Sequence, residues 1–76
     1  MERFRVAVGR KHGVKAGELV GAIANEAGIE GQFIGTINIL EDCSTVDLPE
    51  GMPKATLRHL KKTRVKGMNL AMNRVA

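Results

Sequence analysis

Seventy-six residues, 43% of them hydrophobic and 26% charged, make one globular domain, residues 1–76, with too little chain for two cores and too much apolar content for disorder. No apolar run approaches the roughly 20 residues of a membrane span, no secretory leader is visible, and a lone cysteine, Cys43, permits no internal disulfide and, with only His12 and His59 beside it, no zinc-ligand spacing. The net charge of +4 is laid out in blocks: residues 1–15 carry five cations against Glu2, residues 16–50 hold only acids, and residues 51–76 hold only cations. A soluble, cytoplasmic domain with a polyanionic partner is the expectation.

Residues 3–8 alternate, with Phe4, Val6 and Val8 on one face and Arg3, Arg5 and Ala7 on the other, the period of a half-buried strand. GRKHGVKAG (residues 9–17) follows, with three glycines, the cations Arg10, Lys11 and Lys15, and His12. It is no Walker A loop, lacking the Gly-Lys-Ser/Thr that reaches terminal phosphates and holds magnesium, and it has no Gly-x-Gly-x-x-Gly spacing either. A small-molecule nucleotide is therefore not expected here. A loop that delivers cations to a helix N-terminus does suit a phosphate of a nucleic acid; the plainer reading is a turn with solvated charges.

Across residues 16–27 the period changes, placing Leu19, Val20, Ile23, Ala24 and Ala27 on one helical stripe, with Gly28 where a left-handed C-terminal cap belongs. Residues 35–40 and 44–48 read as strands with buried rows Ile37/Ile39 and Val46/Leu48, and the short link Glu41-Asp42-Cys43 implies a hairpin. Pro53 opens a second helix reaching about residue 63, with Leu57 and Leu60 inward and Lys54, Arg58, Lys61 and Lys62 toward water. Residues 64–66 form a short extended piece, Gly67 turns, and residues 69–75 alternate as a last strand with Leu70 and Met72 inward.

Strand, helix, strand, strand, helix, strand is a pair of split β-α-β units. Right-handed crossovers place the first and last strands side by side with both helices on one face, giving an α+β, ferredoxin-like or RRM-like β-α-β-β-α-β sandwich whose four-stranded antiparallel sheet has the order 4-1-3-2. The alternative is an unrelated α+β layer with the same elements in another order. In the first topology the two basic segments converge beside strands 1 and 4 and the acids collect beside strands 2 and 3, so a dipolar domain with one basic half is expected.

The open sheet face should display Arg3, Arg5, Ala7, Thr36, Asn38, Thr45, Asp47, Ala71 and Asn73, without the aromatic side chains on which an RRM stacks bases. Each missing stack forfeits about 1–3 kcal/mol per base. Binding would then rest on phosphate contacts, on hydrogen bonds from Asn and Arg, and on the shape of a folded RNA. The candidate RNA-binding residues are Arg3, Arg5, Arg10, Lys11, His12, Lys15, Lys62, Arg64, Lys66, Asn73 and Arg74. Lys54 and Arg58 read as a solvated outer face and His59 as a helix-surface or half-buried residue. Glu41 and Asp42 are turn residues, and no nucleophile or carboxylate pair has the spacing of acid–base chemistry, so no catalytic residue, metal or cofactor is expected.

GAIANEAGI (residues 21–29), Ile34-Gly35-Thr36-Ile37, Ser44-Thr45-Val46-Asp47-Leu48-Pro49 and Gly51-Met52-Pro53 together resemble the C-terminal RNA-binding domain of DEAD-box RNA helicases of the DbpA type. Gly51-Met52-Pro53 and Thr63-Arg64 are closer to its cold-shock branch, CsdA or DeaD. Similarity covers nearly the whole chain, with Gly9-Arg10-Lys11 and GAIAN its most diagnostic parts. The resemblance implies an RRM-like module without the aromatic pair, attached after two helicase cores, which binds structured RNA, ribosomal RNA among the candidates, and tethers the ATPase to it. The partner in the same parent chain would be that helicase core, and the parent an ATP-dependent RNA helicase of ribosome assembly, RNA decay or cold adaptation. The ATP-binding motif, DEAD box and arginine fingers are absent from these residues, so a binding fragment and not an enzyme is expected. The alternative is a protein–protein docking module of the helicase.

Overall fold

The computed structural model describes residues 1–75. In chain order its elements are β1 (Glu2–Val6), α1 (Ala16–Ala27), β2 (Ile37–Ile39), β3 (Ser44–Leu48), α2 (Lys54–Lys62), β4 (Arg64–Val65), β5 (Met68–Asn69) and β6 (Asn73–Arg74), with single 3-10 turns at Arg10–His12 and Gly31–Phe33. The main sheet runs β2-β3-β1-β6 and is antiparallel throughout, which is the 4-1-3-2 order with β6 as the fourth strand.

Strand parity decides the core. Phe4 and Val6 of β1 and Val46 and Leu48 of β3 point to the helical side, where they meet Leu19 and Ile23 of α1, Leu60 of α2, and Leu70 and Met72 before β6; all are 3% exposed or less. Burying an aliphatic side chain of this size contributes about 1.5–3 kcal/mol. Ile37 and Ile39, on the edge strand β2, are only partly buried. Val8 lies beyond the end of β1 yet is fully buried, and its carbonyl accepts a 2.6 Å hydrogen bond from the hydroxyl of buried Ser44.

Local chemistry sets the ends of the helices. The Glu18 carboxylate accepts the Lys15 amide N–H at 3.0 Å, one half of a capping box that starts α1. Gly28, at φ 70°, closes α1 with its N–H on the Ala24 carbonyl. At the end of α2 the Thr63 hydroxyl donates to the His59 carbonyl.

The last strand departs from the expected continuous run. Residues 64–69 form a separate hairpin, β4 against β5, around Lys66 and Gly67 at φ 55° and 76°, the two positive values of a type I′ turn. Ala71, at φ 45°, then kinks the chain, its N–H held by Asn69 Oδ1 at 2.9 Å, and only Asn73–Arg74 joins β1 as β6. Leu70 and Met72 are nevertheless both buried, because apolar alternation records where side chains go and not which backbone groups pair.

Candidate nucleic-acid interface

Three connections meet at one end of the sheet: residues 7–15 after β1, residues 40–43 between β2 and β3, and residues 63–72 before β6. The first leans onto the second. Arg10 N–H donates to the Leu40 carbonyl at 2.7 Å and Lys11 N–H to the Glu41 carbonyl at 2.9 Å. A Cβ on Gly9 would stand 2.6 Å from both Cys43 N and Leu40 O, so only glycine permits this approach. His12 braces the loop, its Nδ1 accepting the Gly9 N–H at 3.0 Å. On the other flank, Lys66 Nζ reaches Glu18 at 3.0 Å and pins the β4–β5 hairpin to the start of α1.

Around this end Lys11, Lys15, Lys62 and Arg64 are exposed, and among the described residues none has a carboxylate within 4 Å. Lys11 and Lys15 precede α1, whose unpaired N–H groups add partial positive charge, while Lys62 ends α2 and Arg64 opens β4. On the open sheet face a register row crosses all four strands: Asn38 opposite Thr45, Thr45 opposite Arg5, and Arg5 opposite Asn73. Arg5 is exposed and likewise unmatched among the described residues. The next position along is neutralised: Arg3 Nε lies 2.9 Å from Asp47 Oδ1, and their hydrogen bond raises the Arg3 pKa and lowers that of Asp47.

The expected separation of charge is corrected by these pairs. Arg3 is matched by Asp47, Arg10 by Glu41 at 3.9 Å, Lys66 by Glu18, and Arg74 by Glu2 at 3.0 Å, so cations and carboxylates interleave. The cause is register: antiparallel pairing sets Arg3 directly across from Asp47, and the close approach at Gly9 draws the basic loop toward the β2–β3 hairpin instead of toward β6. Arg74 lies off the open face, as the parity of the last strand requires. It shares parity with Phe4 on the helical side, its guanidinium 5.6 Å from the ring centroid, while Asn73 remains beside Arg5.

The candidates thus fall into three places: the loop end with Arg10, Lys11, His12, Lys15, Lys62, Arg64 and Lys66; the sheet face with Arg3, Arg5 and Asn73; and the sheet edge with Arg74. Sequence reasoning missed Phe33, which is 52% exposed on the 3-10 turn before β2. Its place in Gly31-Gln32-Phe33, outside both the helical and the strand periods, was the available signal.

A four-stranded antiparallel sheet with two helices behind it and cations on its connections is an architecture suited to a small binding module. The family described as the DbpA RNA binding domain matches residues 3–74, and the chain belongs to that family. It is 45% identical over 73 residues to the ATP-dependent RNA helicase DeaD of Haemophilus influenzae, covering 96% of this chain and 12% of that relative. The corresponding helicase of Escherichia coli K12 is 44% identical over 73 residues, 96% of this chain and 11% of its own length. That of Mycobacterium tuberculosis H37Rv is 48% identical over 65 residues, 86% and 12% respectively. The branch read from Gly51-Met52-Pro53 and Thr63-Arg64 is the one these relatives represent. The chain spans about an eighth of their length, and the match falls on an RNA-binding domain and not on a catalytic core.

Proposed function

We propose that this domain tethers an ATP-dependent RNA helicase of the bacterial cytoplasm to structured RNA, ribosomal RNA among the candidates, through its loop end and the adjoining sheet face. The observation that carries the reading is the set of exposed, unmatched cations on the connections at this end, Lys11 and Lys15 before α1, Lys62 at the end of α2 and Arg64 in β4. Phosphates supply most of the affinity in such a mode, and a salt-dependent grip follows from counterion release. Arg5, Asn38, Thr45 and Asn73 present hydrogen-bonding groups in a row where an RRM would present rings. Without stacking, a splayed single strand gains little on this face, whereas a folded RNA brings several backbones to it at once. Arg10 and Lys66 sit in exposed ion pairs, which are weak and exchangeable, so a phosphate can take the place of Glu41 or Glu18. Duplex unwinding, ATP hydrolysis and roles in cold adaptation or ribosome assembly belong to the parent in this reading.

Titration of a labelled RNA hairpin at several salt concentrations tests it. Affinity should fall steeply with salt, and combined charge reversal at Lys11, Lys15, Lys62 and Arg64 should abolish binding. Unchanged binding by that variant would remove the loop end as the RNA surface.

A further inference from the structure

A groove of about 340 Å³ opens between α2 and β6. Phe4 and Met72 close its bottom at 3% and 2% exposed, half-buried Leu57 offers accessible hydrocarbon, and Lys54, Arg58 and Lys61 line it. These three cations recur at i, i+4 and i+7, one face of α2. All are exposed, and none has a carboxylate within 4 Å among the described residues. The expectation of an ordinary solvated face for Lys54 and Arg58 did not include an apolar floor beneath them.

The far wall is a sheet edge. Val75 N–H bonds to the Arg3 carbonyl and Asn73 sits opposite Arg5, so the main-chain N–H and C=O of Arg74, one residue out of phase, point away from β1 toward the open side. The Phe4 ring is 3% exposed and lies under the Arg74 guanidinium, which leaves no platform on which a nucleobase could stack. A phosphate backbone would use the rim and ignore the floor.

We propose that this groove docks an acidic, leucine-bearing peptide segment of a partner protein. The segment adds as an extended strand along β6, sets its carboxylates against Lys54, Arg58 and Lys61, and lays its apolar side chains over Leu57 and the methylene stems of those three residues. Main-chain pairing supplies affinity and the alternating side chains supply selectivity.

The test is fluorescence anisotropy on the full chain with a short labelled peptide alternating Asp and Leu, a control alternating Asp and Ser, and a labelled RNA hairpin. The Asp-Leu peptide should bind about tenfold or more tighter than the control, and the double variant Arg58→Glu/Lys61→Glu should weaken it about tenfold or more. Lys11→Glu/Lys15→Glu should leave it unchanged while weakening the hairpin. Equal affinity for the two peptides, or full peptide binding by Arg58→Glu/Lys61→Glu, overturns the proposal. So does a groove variant that loses the hairpin in the absence of any peptide binding, which would make the groove an RNA surface. Failure of Lys11→Glu/Lys15→Glu to weaken the hairpin would sink the RNA reading and leave this one standing. All four substituted residues are exposed, and amide chemical shifts at Leu57, Met72 and Arg74 report folding and peptide contact together.

Discussion

The Glu18 carboxylate bonds in two directions, accepting the Lys15 amide with one oxygen and lying 3.0 Å from Lys66 Nζ with the other, so one side chain ties the start of α1 to the tip of the β4–β5 hairpin. The Lys66 hydrogen bond, ahead of the smaller contributions, holds the Glu18 carboxyl below its ordinary value, and Arg3 does the same for Asp47.

A carboxylate whose pKa is lower folded than unfolded contributes stability that is present above its unfolded pKa and is lost as pH falls through the folded one. Stability should therefore hold from neutrality down to about pH 4 and decline below it. Glu18→Gln and Asp47→Asn should each flatten that decline, so that melts at about pH 7 and about pH 3 differ less in the variants than in the parent protein. An acid limb identical in all three would show that these pairs are not formed in solution.

Gly9→Ala should destabilise the fold by roughly 1–3 kcal/mol, because the new Cβ meets backbone atoms of residues 40–43 that cannot swing aside. Urea titration measures the loss. Neutrality would mean that the basic loop does not rest on the β2–β3 hairpin.

Ala71→Gly should behave opposite to most Ala-to-Gly changes. A left-handed alanine costs about 1–2 kcal/mol, and glycine's extra backbone entropy costs only about 0.5–1 kcal/mol, so the thermal midpoint should stay level or rise by a few degrees. A clear fall would place Ala71 outside the left-handed region.

Ser44→Ala removes the donor to the buried Val8 carbonyl and should cost about 1–3 kcal/mol, with hydrogen exchange accelerating first where β1 meets β3.

Neutralising Lys11, Lys15, Lys62 and Arg64 together to Gln should reduce the slope of log affinity against log salt for an RNA hairpin by about 3, at about 0.7–0.9 per phosphate contact. Arg3→Gln should change it far less, since Asp47 already matches that charge.

Most of the architecture was readable from single residues. Phe4, Val6 and Val8 announced β1, the Leu19-to-Ala27 stripe and Gly28 announced α1 and its end, and Glu41-Asp42-Cys43 announced the hairpin. Gly67 was read as a turn, but its type I′ form and the β4–β5 hairpin escaped because Lys66 occupies a position where asparagine or glycine would be the usual signal, and the kink at Ala71 escaped for the same reason. Charge was misread in space because blocks along a chain carry no register: whether Arg3 meets Asp47 depends on how β1 pairs with β3. The α2–β6 groove draws its lining from β1, α2 and the approach to β6, and no local pattern joins segments so far apart.

Antiparallel pairing of β1 with β6 brings Arg3 beside Val75, which puts both ends of the described chain at the same pole, while the lysine-bearing connections occupy the other. In a molecule 31 Å in its longest dimension, anything joined before Glu2 or after Val75 departs from the side remote from the loops proposed to face RNA. If the proposed surface holds RNA, the domain is shaped like a mooring: a neighbour can swing on its leash without crossing the cargo at the far end.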